Sequence, residues 1–154
     1  MATKPDDEAC DAELVRRRLA RDWPPGPWDE EPDAHDWVDA ETGYKCYARR
    51  NDMGAWCGYV FVPHGHPVHG CMGDISVSVH GGVTYTKPEI DPDTGFAVPF
   101  GAWVVGFDCG HIWDIVPALQ KPEPAMAFPD GEYRTLAFVV QECQALARQL
   151  YAAR

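Results

Sequence analysis

The stretch "DISVSVHGGVTYT", residues 74–86, decides how the chain is read. Ile75, Val77 and Val79 alternate with Ser76, Ser78 and His80. Successive side chains of a strand point to opposite faces, so this period of two predicts a half-buried strand with an apolar inner face. Gly81 and Gly82 then allow a tight turn or a bulge, and Val83, Thr84 and Tyr85 predict a returning strand. Upstream, "GYKCYARR" (43–50) and "AWCGYVFVP" (55–63) have strand composition, and downstream "AVPFGAWVVGFD" (97–108) is the most apolar strand candidate. The intervening "EIDPDTG" (89–95) reads as a loop.

Helical signals lie outside this run of strands. Residues 7–22 predict a helix, with acids first, arginines last, and Val15 and Leu19 on one stripe. "WPPGPWDEEPD" (23–33) cannot continue it, because four prolines remove donors and fix φ. An extended linker is expected there, with Trp23 and Trp28 tacking it to the body. Residues 118–131 are Pro-rich and irregular. In the closing "EYRTLAFVVQECQALARQLYAAR", Leu136, Val139, Val140, Cys143, Leu146, Ala147 and Leu150 trace an apolar helical face, with Asp130 or Gly131 as N-cap. Strands in a run between helices, without βαβ alternation, predict an α+β fold. Its central, mostly antiparallel sheet of four or five strands is flanked by N- and C-terminal helices. On this reading residues 1–41 are an acidic helical and Pro-rich arm, and residues 42–154 are a single α+β domain.

Charge and composition narrow the function classes. The chain has 154 residues and a formal net charge of −11. Residues 1–41 carry 13 Asp/Glu and five Lys/Arg, so most of the negative charge sits in the arm. An acidic protein repels phosphate backbones, so direct nucleic-acid binding is not expected. A DNA mimic would need carboxylates in rows, and a terminal concentration of acid more often serves solubility. No apolar run approaches the roughly 18–20 residues that cross a bilayer. The charged N-terminus lacks the apolar core of a signal peptide, which sets the expectation of a cytoplasmic protein. The six cysteines show no C-x-x-C pairing, consistent with reduced thiols. No G-x-G-x-x-G, Walker, H-E-x-x-H or G-x-S-x-G motif is present.

Three segments carry chemical interest. In "VGFDCGHIWD" (105–114), Asp108, His111 and Asp114 follow an apolar strand at three-residue spacing, which on a helical or 3₁₀ turn brings them near one face. A carboxylate beside an imidazole fixes its tautomer and raises its basicity, as a general base requires. The same trio could bind a divalent metal, or Asp108 could simply cap the next turn. His80 lies on the polar side of its strand before two glycines, whose backbone admits a ligand closely, or else it is an exposed residue of a hairpin turn. "VPHGHPVHGC" (62–71) holds His64, His66, His69 and Cys71. Structural zinc sites usually join two ligand pairs. The only second pair on offer, Cys109 and His111, is not a familiar zinc signature, so no structural zinc is expected. The stretch reads as a loop at a sheet edge that contributes His66 to a shared pocket.

"GYVFVPHGHPVHG", "VHGGVTY", "GFDCGHIWDIVP" and "YRTLAFVVQECQALARQL" occur in order over residues 43–150, and together they resemble a family of small bacteriophage and prophage proteins met especially in phages of actinobacteria. The resemblance implies a context rather than an activity: an accessory product acting in the cytoplasm of an infected cell. The family's polar motif positions correspond here to His66, His80, Thr84, Tyr85, Asp108, Cys109, His111 and Asp114. Thr135 stands where the family pattern has the acid of "YRD". The resulting expectation is a small-molecule pocket that sequesters or cleaves a nucleotide-like host signalling molecule. His80, Asp108, His111 and Asp114 are its candidate catalytic groups, and His66, Thr84, Tyr85, Trp103 and Trp113 its ligand contacts. No cofactor is required, no membrane is involved, and homo-oligomerisation stays open. The other readings are an acidic inhibitor of a host protein and a small structural zinc domain.

Overall fold

The computed structural model describes residues 23–90, 97–120 and 131–154. The helix expected over residues 7–22, and Asp130, lie outside these residues. The described chain forms a five-stranded antiparallel sheet and one C-terminal helix. The strands are β1 (Ala34–Val38), β2 (Lys45–Arg50), β3 (Trp56–Val62), β4 (Tyr85–Lys87) and β5 (Trp103–Asp108), in the order β1-β2-β3-β5-β4. Helix α1 spans Leu136–Ala152.

β3 lies at the centre of the sheet and is apolar on both faces, which is why "WCGYVFV" reads as a run rather than an alternation. Its register against β5 pairs Gly58 with Phe107 and Cys57 with Asp108. One face of the sheet, with Cys46, Ala48, Trp56, Val60, Val62, Val105 and Phe107, packs on the buried stripe Val139, Cys143, Leu146, Ala147 and Leu150 of α1. Burying each large apolar side chain of that stripe stabilises the fold by roughly 1.5–3 kcal/mol. Gly58 lets the layers close: a Cβ there would come within 2.6 Å of the Phe107 ring and 2.8 Å of Cys143 Sγ. The other face is a smaller cluster of Tyr47, Tyr59, Phe61 and Val104 with Ile90 and Ala102.

Three elements differ from the sequence expectation. Residues 34–38, expected within the arm, form the edge strand β1, and Trp28 is buried against Tyr133. The linker is therefore packed on the body, with the Trp23 ring against Gly54 and Trp28 held through Arg50, whose guanidinium donates to the Trp28 carbonyl and to Glu31. Residues 74–79 alternate in burial as expected, with His80 half-buried like Val79, but the segment is not a strand. They run as an extended strap, with Ile75, Val77 and Val79 packed against the main core. The strap's backbone bonds are local or go to a side chain: Val77 N–H donates to the Ile75 carbonyl at 2.8 Å, Ser78 N–H donates to Gln149 Oε1, and Gln149 Nε2 donates to the Ser78 carbonyl, the last two at 2.7 Å. Finally, α1 starts at Leu136 rather than near residue 131. Its N-cap is Thr135, whose hydroxyl accepts from Phe138 N–H at 3.1 Å, and Glu31 accepts from Leu136 N–H. Thr and Asp are both N-cap residues, so position 135 has a capping task that either satisfies.

Candidate functional site: an aspartate shared by two histidines

β5 ends at Asp108, and the chain leaves the sheet into a turn closed by Asp114 N–H donating to the His111 carbonyl at 2.9 Å. That turn folds the side chain of Asp114 back under His111. A short parallel bridge fixes the next residues, with Ile115 N–H donating to the Glu132 carbonyl and Glu132 N–H to the Trp113 carbonyl. From the opposite direction the strap delivers His80, then turns at Gly81 and Gly82, both at positive φ. Gly82 N–H donates to the Val79 carbonyl, and Thr84 N–H returns to Gly106 of the sheet.

These segments meet at one carboxylate. His80 Nε2 lies 3.0 Å from both oxygens of Asp114, and His111 Nδ1 lies 3.1 Å from Oδ2. The backbone N–H of His111 donates to Oδ2 and Arg134 Nε to Oδ1, each at 3.0 Å. The side chain of Asp114 is fully buried, whereas those of His80 and His111 are 9% and 20% exposed. Burial opposes ionisation of Asp114, but the hydrogen bonds from His80, the His111 amide, Arg134 and the His111 ring outweigh it, so the carboxyl titrates below its usual range. A buried carboxylate with this many donors is ionised and orients both rings.

Aromatic neighbours lock the two imidazoles. Trp113 stacks on His111 at 5.0 Å with planes 5° apart, and Phe138 of α1 meets His80 edge-on at 5.2 Å. The two rings are 5.4 Å apart in a T arrangement. Gly81 is required for this approach: a Cβ on it would fall 2.0 Å from His111 Cε1. Asp108 stands at the rim, 4.0 Å from His111 Nδ1, with one oxygen accepting from Gly110 N–H at 2.9 Å. Among the described residues, Nδ1 of His80 and Nε2 of His111 have no hydrogen-bond partner.

His80, Asp108, His111, Asp114 and Trp113 are thus brought together, although His80 and His111 come from separate segments. The other expected contacts are not there. His66 is buried at the far end of α1, where its Nε2 donates to the Leu150 carbonyl at 2.6 Å and its Nδ1 accepts from Val68 N–H at 3.0 Å. Leu150 lies twelve positions beyond Phe138 on the helix, which puts His66 about 18 Å away along the axis. Thr84 is exposed beside the sheet, and Tyr85 packs on Tyr59 in the second core cluster, its hydroxyl donating to the Glu89 carbonyl. Trp103 is buried, and its Nε1 donates to Thr86 Oγ1 at 2.8 Å. Cys109 is buried next to the site. Burial, and then the negative charge of Asp114, pushes its thiol well above the ordinary range, so it is not a nucleophile.

Arg134 was not among the expected site residues. It sits two positions before the helix starts, where a sequence reading sees only a charge at a helix entrance. In the structure it bridges Asp114 and Glu132 and lies 4.9 Å over the Phe138 ring. Two cavities among the described residues lie elsewhere. One of about 440 Å³ borders Tyr44, Phe61, His64 and Phe100, and one of about 230 Å³ borders His66, Ile75, Val77 and Leu150. No helix of the described residues is long and apolar enough to cross a membrane. Comparison with family models, with curated proteins and with solved structures finds no match.

Proposed function

We propose that the protein binds a small anionic molecule of nucleotide type at the His80–His111–Asp114 cluster, and that His111 is the group able to act on it. One observation carries the reading. A single buried carboxylate engages one ring nitrogen of each histidine, and the other nitrogen of each has no partner among the described residues. An imidazole oriented in this way can accept a proton from an attacking water or donate to a phosphate oxygen. The half-exposed ring of Trp113 beside His111 offers a flat surface for a base. In the setting implied by the phage-type resemblance, such a site would sequester or hydrolyse a host signalling nucleotide in the infected cell's cytoplasm.

The test is calorimetric titration of the full chain with a panel of cyclic mono- and dinucleotides and linear nucleotides, followed by chromatography of each mixture. The reading expects saturable binding of at least one member, and weakening of that binding in His111→Ala and Trp113→Ala. Product formation by wild type, absent in His111→Ala, assigns hydrolysis, whereas an unchanged nucleotide assigns sequestration. No binding across the panel, or binding indifferent to both substitutions, overturns the reading.

A further inference from the structure

We infer that His80, His111 and Asp114 form a mononuclear site for a zinc-type divalent cation. Spacing alone offered Asp108, His111 and Asp114 as a divalent-metal trio, whereas in the fold the strap brings His80 to His111 and Asp114, and Asp108 stands at the rim. One ligand atom from each residue lies within 4.8 Å of the others. His80 Nε2 is 3.0 Å and His111 Nδ1 3.1 Å from the carboxylate. Donors bound to one ion at about 2.0–2.1 Å stand roughly 3 Å apart, so both histidine–carboxylate pairs already have that spacing, and the two nitrogens, within 4.8 Å of each other, need only close toward a shared cation.

The surroundings match a metal centre in three further respects. The ligand carboxylate is already held from outside by Arg134 and by the His111 amide, the type of support that orients metal-binding carboxylates. Both rings are held in place by Trp113 and Phe138, so little conformational freedom is left to lose on binding. The carboxylates of Asp108, Asp114 and Glu132 outnumber the guanidinium of Arg134, so the cluster attracts a cation, and a bound divalent ion offsets the negative charge that an anionic ligand would otherwise meet. Two imidazoles and one carboxylate suit zinc, iron or a similar ion rather than magnesium or calcium.

With no fourth protein ligand among the described residues, a water completes the coordination, as in catalytic rather than structural zinc sites. Asp108 lies at the rim, in a position to accept a hydrogen bond from that water. Binding moves the proton of each neutral imidazole to its outward nitrogen: Nε2–H becomes Nδ1–H in His80, and Nδ1–H becomes Nε2–H in His111. The proton count does not change, and both outward nitrogens become donors suited to a phosphate. The metal site does not depend on the nucleotide reading.

The experiment uses the full chain, stripped with chelator and titrated with Zn²⁺ by calorimetry and with Co²⁺ by visible absorption. One ion per chain is expected, with cobalt bands of a nitrogen–oxygen site. His80→Ala and His111→Ala should each weaken binding by more than about 100-fold, beyond the usual cost of losing an outer-shell partner. Circular dichroism checks that both variants fold, and His66→Ala should bind as wild type. Nitrogen-15 spectra of the wild-type imidazoles provide a measurement without substitution, since zinc should exchange the protonated nitrogen in His80 and in His111. Absence of stoichiometric binding, unchanged tautomers, or full affinity in both histidine variants overturns the site. Because no nucleotide is present in the titration, failure of the metal site is distinguishable from failure of nucleotide binding.

Discussion

The two ends of helix α1 use histidine in opposite ways. At the C-terminal end, His66 has both ring nitrogens engaged by backbone, one on the Leu150 carbonyl and one on Val68 N–H. It ties a carbonyl of the last helical turn to the 62–71 loop and keeps nothing for a ligand. At the N-terminal end, His80 and His111 each direct one nitrogen to Asp114, and the other has no partner among the described residues. A buried histidine is therefore structural or chemical according to how many of its nitrogens the fold consumes. Depth alone does not separate the cases, since the side chain of His80 is only 9% exposed.

The largest effect expected from breaking this comparison is at Asp114. Removing the carboxylate in Asp114→Ala leaves Arg134 and two imidazoles without their common acceptor in a buried place. Loss of one partner of a buried charged pair costs about 3–5 kcal/mol. Urea denaturation should show that loss as a lowered midpoint, and any zinc or nucleotide affinity should go with it. A change under about 1 kcal/mol, typical of exposed ion pairs, would mean that the aspartate is solvated and not the hub of the site.

The second expectation separates the two ends directly. His66→Ala leaves Val68 N–H buried without its partner and leaves the Leu150 carbonyl with only its cap bond from Ala153 N–H, at about 1–3 kcal/mol, and ligand binding should survive. His111→Ala, at a more exposed ring, should lower stability less and abolish function. Equal effects of both substitutions on binding would put His66 back in a shared pocket.

Sequence and structure agree where local pattern sets the outcome. The three-residue spacing of Asp108, His111 and Asp114 became a turn that gathers them, because one i→i+3 bond suffices to do it. His80 before Gly81-Gly82 was legible as a polar group beside a backbone able to approach closely. The apolar runs of β3 and β5 needed no tertiary knowledge. What stayed hidden was partner identity. Alternation over Ile75–His80 reports an extended chain on an apolar surface, and the surface turned out to include a helix rather than a neighbouring strand. The segment "AHDWV" carries no strand signal of its own, since it is mostly exposed and owes β1 to pairing with β2. Arg134 and the true environment of His66 depend on contacts between distant residues that no spacing encodes.

Gly81→Ala sharpens the comparison at smaller cost. Its φ of +68° is unfavourable for a residue with a Cβ by about 1–2 kcal/mol. The added carbon would also meet the His111 ring, 2.0 Å from Cε1, so the ring must leave its place against Trp113 and Asp114. Function should fall as far as in His111→Ala, with His66 and the far end of α1 undisturbed in heteronuclear spectra. A variant that keeps full binding would show that the strap can shift and that the His111 geometry is not fixed by Gly81.

The smallest effect is expected at the bond that makes the strap a strap. The Gln149 side chain stands in for a neighbouring strand, accepting from Ser78 N–H and donating to the Ser78 carbonyl at 2.7 Å each. Its Nε2 also donates to the Ala145 carbonyl one helical turn earlier, which holds the amide in this orientation. Ser78 is exposed, so water replaces both bonds when they are lost, and Gln149→Ala should cost only about 1 kcal/mol in global stability. The local consequence is larger than the global one. Hydrogen exchange at Ser78 N–H should accelerate, because opening of the strap no longer breaks a paired amide. Gln149→Glu discriminates further: its carboxylate still accepts from Ser78 N–H but cannot donate to the carbonyl, so protection should be partly retained. Since His80 lies two residues beyond Ser78, a loosened strap should weaken binding at the Asp114 end modestly and leave the His66 end unchanged. Exchange at Ser78 equal to wild type in Gln149→Ala would mean that Ile75, Val77 and Val79 hold the strap by packing alone, and that the amide bridge adds nothing to the placement of His80.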